Sequence, residues 1–204
     1  MNFLTGGKLG PVRLKGSYVL LEPLMIEHAA EILKAGGGLG WEWMSWKLVD
    51  LDSVKEWIET SLSAQKLGEE YPFIVRLKSS GEAIGSTRFM DTNEKHKTTE
   101  IGWTWYSPSA WGTVVNPECK LLLLTHAFEK WEANRVQLKT DNNNLHSQRA
   151  ILKLGAKFEG RLRNHKVRID GSIRDTMMYS ITREEWPQIK ESLIRRVESA
   201  RKIL

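Results

Sequence analysis

Hydrophobic positions along the chain fall into brief apolar runs and helical stripes, punctuated by glycine, proline and polar turns. Residues 1–15 read as an irregular arm with room for an edge strand. Ser17 to Glu22 (SYVLLE) reads as a strand, closed by Pro23. From Met25 to Ala35 the spacing becomes helical, with Ile26, Ala29, Ile32 and Leu33 on one face. A flexible link, Gly36-Gly37-Gly38-Leu39-Gly40, follows. Asp52 or Ser53 then caps a second helix that turns Val54, Trp57, Ile58 and Leu62 inward. Tyr71 to Leu77 and Glu82 to Met90 form a hairpin about the Ser80-Gly81 turn.

The next stretch, from Lys97 to Trp131, organises the rest. Thr98 to Tyr106 is β-branched and aromatic, which suits a buried strand, and Ser107-Pro108-Ser109 stops it. Leu121, Leu124 and Phe128, with Leu122 and Leu123, give the following helix a wide apolar face. Asn116 is expected as its N-cap and Pro117 as its first residue, with Glu118 favouring the positive helix end. A strand leading through a tight loop into a helix start offers backbone N–H groups to an anion. Beyond it, Arg135 to Lys139 is a strand and Thr140 to Asn144 a polar turn. Asn144 to Leu154 is a helix stopped by a left-handed Gly155. Phe158 to Ile169 and Ile173 to Ile181 flank Asp170-Gly171, a strong hairpin signal, and Pro187 opens a terminal helix. The order β-α-α-β-β-β-α-β-α-β-β-α is that of a mixed α/β (α+β) fold. GxGxxG and Walker loops are absent from the sequence.

Composition narrows the function. A chain of 204 residues, 41% hydrophobic, is expected to form one domain, with a core over about residues 17–186 and a terminal helix over about 187–203. One cysteine, Cys119, rules out an internal disulfide framework and reads as a small packing residue. With neither a signal segment nor a membrane-length apolar run, a cytoplasmic location is expected. The net charge of +5 is spread among acidic residues, so no nucleic-acid partner and no membrane partner are expected. The five histidines lack ligand spacing, so no metal site is expected. Three of the nine tryptophans, Trp41, Trp43 and Trp46, cluster after the glycine link. They suit either core packing or an aromatic wall over a substrate cleft.

Two segments carry a family likeness: Pro108-x-x-Trp111-Gly112 with Glu118, and Asn144-x-x-Ser147 followed by Leu154-Gly155-Ala156-Lys157-Phe158-x-x-Gly160. They resemble the GNAT superfamily of acyl-CoA N-acyltransferases, and within it the Rim-like group related to ribosomal-protein N-terminal acetyltransferases. The resemblance implies a mostly antiparallel sheet of about seven strands flanked by helices, splayed between the strands at Thr98–Tyr106 and Arg135–Lys139. It also implies acetyl-CoA as co-substrate and an amine acceptor, either a protein N-terminus or a small molecule. The alternative under the same fold is an acyl-CoA sensor or partner-binding module with weak or no catalysis. Oligomeric state is left open between monomer and homodimer.

The resemblance also assigns roles. Thr104, Trp105 and Tyr106 would hold the pantetheine arm, and a bulge between Gly102 and Trp105 would aim an N–H at the thioester carbonyl. The pyrophosphate would rest on the loop of Gly112, Thr113, Val114, Val115 and Asn116, although Gly112 also reads as a plain turn glycine. Val114 stands where the family has a glycine. A β-branched residue resists positive φ, so a loop of the usual shape would be strained by about 1–3 kcal/mol. Asn144 suits either cofactor binding or helix capping, and Ser147 either the acid for the leaving thiolate or a first-turn serine. Gln137 and Lys139 occupy the strand that carries a glutamate in some relatives. Glu100 remains the base candidate, against the reading of a paired carboxylate.

Overall fold

A computed structural model describes residues 8–39 and 41–201. The start of the predicted arm (1–7), Gly40 of the glycine link and residues 202–204, where the predicted terminal helix was to end, lie outside the described residues. Eight strands form one sheet in the order β1-β2-β3-β4-β5-β6-β8-β7. They are β1 (Leu14–Lys15), β2 (Val19–Pro23), β3 (Tyr71–Leu77), β4 (Ala83–Asn93), β5 (Thr98–Tyr106), β6 (Arg135–Asp141), β7 (Lys157–Val167) and β8 (Ile173–Thr182). The short β1 is the edge strand for which the arm had room. Every neighbouring pair is antiparallel except β5–β6, which is parallel. Five helices flank the sheet: α1 (Ala29–Gly36), α2 (Leu51–Lys66), α3 (Val115–Thr125), α4 (Leu145–Leu154) and α5 (Trp186–Arg201).

Strand parity explains the two cores. In β3, Phe73 and Val75 join one cluster with Leu123 and Leu124 of α3, while Ile74 between them joins the other with Ile32, Val54 and Ile58 of α1 and α2. Successive side chains of a strand point to opposite faces, so a central strand covered on both sides is apolar throughout. Helix α2 begins two or three residues earlier than the sequence suggests. Asp50 is its cap, accepting from the Ser53 N–H at 2.8 Å, while the Ser53 hydroxyl lies 3.2 Å from the Asp50 N–H. Among the described residues no helix is long and apolar enough to cross a membrane.

Glu118 ties the two ends of this architecture together. It is 3% exposed, and its carboxylate accepts N–H bonds from Ser17, Tyr18 and Val19 at 2.7, 2.7 and 2.8 Å. The residue expected to answer the helix dipole thus gathers the N–H groups at the start of β2. Gly16 is required beside it, because a Cβ there would lie 2.5 Å from the Glu118 carboxyl carbon.

Candidate active site

The parallel pair β5–β6 is joined over only three positions, Thr98↔Arg135, Thr99↔Val136 and Glu100↔Gln137. Past Glu100 the two strands part, and no described strand pairs with Ile101–Tyr106 on that side. The opposite edge of β5 stays on β4 but bulges: Ser86 faces Trp105 and Arg88 faces Gly102, so β5 spends one residue more than β4. Trp103 absorbs the extra residue at φ 50. The bulge therefore lies where the sequence reading put it. Because β5 and β6 run parallel, the helices that follow them, α3 and α4, start at the same end of the sheet. That end, outside the carboxyl ends of parallel strands at a switch in topology, is where open α/β sheets bind ligands.

The loop into α3 has a different shape from the one expected. Positive φ falls at Gly112 (φ 72), where a Cβ would meet nothing within 4 Å, and not at Val114. Val114 has φ −70 and ψ −13, ordinary helical values, so it is unstrained. The helix starts at Val115, and Asn116 is not its cap. Its side-chain oxygen instead lies 3.4 Å from the Tyr106 hydroxyl, which donates to it. Pro117 sits in the third helical position, where its missing N–H is still one of those a helix leaves unpaired. No side chain caps Val114, although the Thr113 hydroxyl lies 3.3 Å from the Val115 N–H.

On the far side of the splay, Asn144 caps α4 by accepting the Ser147 N–H at 2.9 Å. Ser147 is half-buried in the first turn. Glu100 lies at the closed end of the opening, 1% exposed, where Lys139 Nζ approaches to 2.7 Å and Gln137 Nε2 donates at 3.0 Å. Burial raises the pKa of Glu100 despite Lys139. Lys139 also reaches Asp91 at 2.9 Å. The two residues in the place of the family's glutamate thus serve as partners of Glu100.

The tryptophan cluster divides. Trp41 is 7% exposed at φ 54 and meets Trp105 edge to face at 5.2 Å, packed in the core cluster of α1 and α2. Trp46 is half-buried against the same cluster, and Trp43 is exposed. Trp105 itself is buried, so the backbone of β5 rather than its ring is available at the splayed edge.

One residue at the bulge escaped the sequence reading. Lys120 interrupts the apolar run Cys119–Leu124, is 6% exposed and donates from Nζ to Thr104 Oγ1 at 2.9 Å. Thr104 shares a 2.8 Å hydrogen bond with Thr87 of β4. Among the described residues no carboxylate forms an ion pair with Lys120. Burial lowers its pKa to about 8. A lone lysine inside a leucine run was the available signal, and helical periodicity alone would have turned it to solvent. Cys119 is buried, with its pKa raised to about 12 by burial, which makes it a packing residue.

Comparison with known proteins agrees with this geometry. The acetyltransferase (GNAT) domain family matches residues 19–157. The N-acetyltransferase p20 of Bacillus licheniformis, described as uncharacterized, is 23% identical over 137 residues, covering 67% of this chain and 76% of that protein. A GCN5-related N-acetyltransferase from Brucella melitensis superposes with a TM-score of 0.86 at 26% identity, over 95% of this chain and 89% of that one. Mycobacterium smegmatis RimJ, solved in complex with CoA-disulfide, superposes with a TM-score of 0.75 at 23% identity, over 92% and 93%.

Proposed function

The chain belongs to the acetyltransferase (GNAT) family and is an acetyl-CoA-dependent acetyltransferase, and we propose that it acetylates a primary amine, either a protein N-terminus or a small molecule, by direct attack. The observation that carries this reading is the unpaired edge of β5 beyond Glu100, with a bulge at Trp103 and two helix starts at the same end.

The residues present fit the co-substrate. No described strand pairs with the β5 backbone at Thr104–Tyr106 on its β6 side, which suits an extended pantetheine arm, although the Tyr106 carbonyl accepts from Trp111 Nε1 at 2.9 Å. Open space before Gly112 and a helix start without a side-chain cap suit a pyrophosphate held by N–H groups of Gly112–Asn116. Bound acetyl-CoA supplies an activated thioester. The bulge then offers a fixed backbone N–H to developing negative charge, an arrangement that contributes about 3–4 kcal/mol where it has been measured. Lys120, through Thr104, fixes the side chains around that N–H.

The amine must lose a proton. An α-amine of pKa about 8 is roughly a tenth neutral at pH 7, whereas an ordinary lysine is under a thousandth, so a peptide N-terminus needs little help. Glu100, desolvated at the closed end of the splay, is the base in this reading, with Lys139 and Gln137 orienting it. Ser147 is the acid for the departing thiolate, and Asn144 sets the α4 turn that presents it. Calorimetric titration with acetyl-CoA, followed by thiol release across a panel of amines, tests the reading. Saturable binding with turnover of at least one amine is expected; no saturation at millimolar acetyl-CoA would sink it.

A further inference from the structure

Arg88 stands in β4 opposite Gly102, where the bulge begins, on the α1–α2 side of the sheet. It is 3% exposed and packs against both Trp57 and Trp103, 5.0 Å from each ring centroid. Nη1 donates to Glu70 at 2.5 Å. Nε and Nη2 are buried and have no partner. Those two groups form one edge of the guanidinium plane, the edge that pairs with both oxygens of a carboxylate. Buried donors are ordinarily satisfied, and exceptions concentrate where a ligand or function completes them. Trp57 Nε1 and Trp105 Nε1, in the same core cluster, are buried without partners as well. Beyond the Glu70 carboxylate, four donor nitrogens near the bulge are thus without a partner, as is one acceptor, Gln65 Oε1, on the helix that carries Trp57.

We infer that Arg88 is an acceptor-recognition residue whose free edge takes a carboxylate carried by the amine substrate. The inference rests on the acetyl-transfer reading, because the bulge is where the amine must arrive. The two tryptophan rings, with centroids 6.5 Å apart, crowd the guanidinium from adjacent sides, and the Nε–Nη2 edge left without a partner matches the two oxygens of a flat carboxylate. Glu70 already neutralises the cation, so a doubly charged phosphate would leave a larger uncompensated charge than a carboxylate does. The acceptors so selected are amino acids or short peptides with a carboxylate a few atoms from the reacting nitrogen.

The test uses ω-amino acids from glycine to 6-aminohexanoate, each with its carboxamide as a matched control. Thiol release from acetyl-CoA gives KM for every pair, and tryptophan fluorescence titration gives binding without turnover. At one chain length at least, KM for the acid is expected to be tenfold or more below that of its amide. In Arg88→Gln the acid-to-amide ratio should collapse towards one, and Arg88→Lys, which keeps the charge but loses the fork, should retain only part of it. Circular-dichroism melting and acetyl-CoA titration of both variants identify any loss that is merely unfolding. Equal KM values for acids and amides throughout would overturn the proposal and leave the donors to buried water. If no acceptor turns over, acetyl transfer to these amines fails as a reading. The fluorescence titration then decides alone: quenching by an acid, not by its amide, that is lost in Arg88→Gln supports the fork, and no such difference refutes it.

Discussion

Lys120 is the most exacting place to perturb this molecule. Its ammonium is buried among leucines with one neutral partner, Thr104, and burial lowers its pKa from 10.5 to about 8. At about 1.4 kcal/mol for each pKa unit, holding the charge costs about 3 kcal/mol relative to the unfolded chain. Methionine has similar length and needs no proton, but forfeits the hydrogen bond to Thr104, a loss of about 1 kcal/mol. Lys120→Met should therefore be about 2 kcal/mol more stable than the parent at pH 7. The sign of the pH dependence is fixed. Between pH 8 and 10.5 the unfolded chain binds more protons than the folded one, so the parent gains stability as pH rises through that window. The cost is fully present below it. Urea unfolding of both proteins at pH 7, 8, 9 and 10 measures the difference, in which titrations common to both cancel. The advantage of the variant should shrink to near zero by about pH 10. A variant less stable at pH 7, or a difference that ignores pH, would refute the reasoning. Acetyl transfer should slow in the same variant although its fold is firmer, since a stabilising change at a site often removes its function.

Three further outcomes follow from the geometry. Val114→Gly relieves no strain, because Val114 already has helical dihedrals; its affinity for acetyl-CoA by calorimetry should stay within about twofold while stability falls by about 0.5–1 kcal/mol, and a tenfold gain in affinity would count against this account. Glu118→Ala removes the hydrogen bonds from the N–H groups of Ser17, Tyr18 and Val19 and should cost about 3 kcal/mol in urea unfolding; a loss below about 1 kcal/mol would show that water replaces the carboxylate. In Glu100, burial raises the pKa, so the acid limb of kcat/KM should lie above the ordinary carboxylate value of 4.5. Glu100→Gln should abolish that limb and lower kcat by about a hundredfold; an unchanged profile would restrict Glu100 to its pairing with Lys139.

Much of the architecture was legible in the sequence because it depends on residues close together. Gly155 ends α4 at φ 104 and Gly171 turns the last hairpin at φ 83, as their local context demanded. The apolar run within β3 and the leucines of α3 marked a buried strand and a packed helix. Family likeness added the splay and the bulge, which no local propensity encodes. The start of α3 was misread because Asn-Pro-Glu is a good helix opening in isolation. In the folded chain the turn is closed instead by Gly112 and by Thr113, whose hydroxyl donates to the Ala110 carbonyl at 2.7 Å.

What only the tertiary structure decided is the fate of the polar groups. Glu118 meets N–H groups some hundred residues away. Lys120 reaches Thr104 across the interface between α3 and the sheet, and Arg88 packs against two tryptophans from different elements. Each of these residues looks like surface when read by type, since a charge prefers water unless distant partners replace it. Hydrophobic spacing tells a chain which elements to form and which faces to bury. Whether a buried charge finds a partner depends on contacts that exist only once those faces have met.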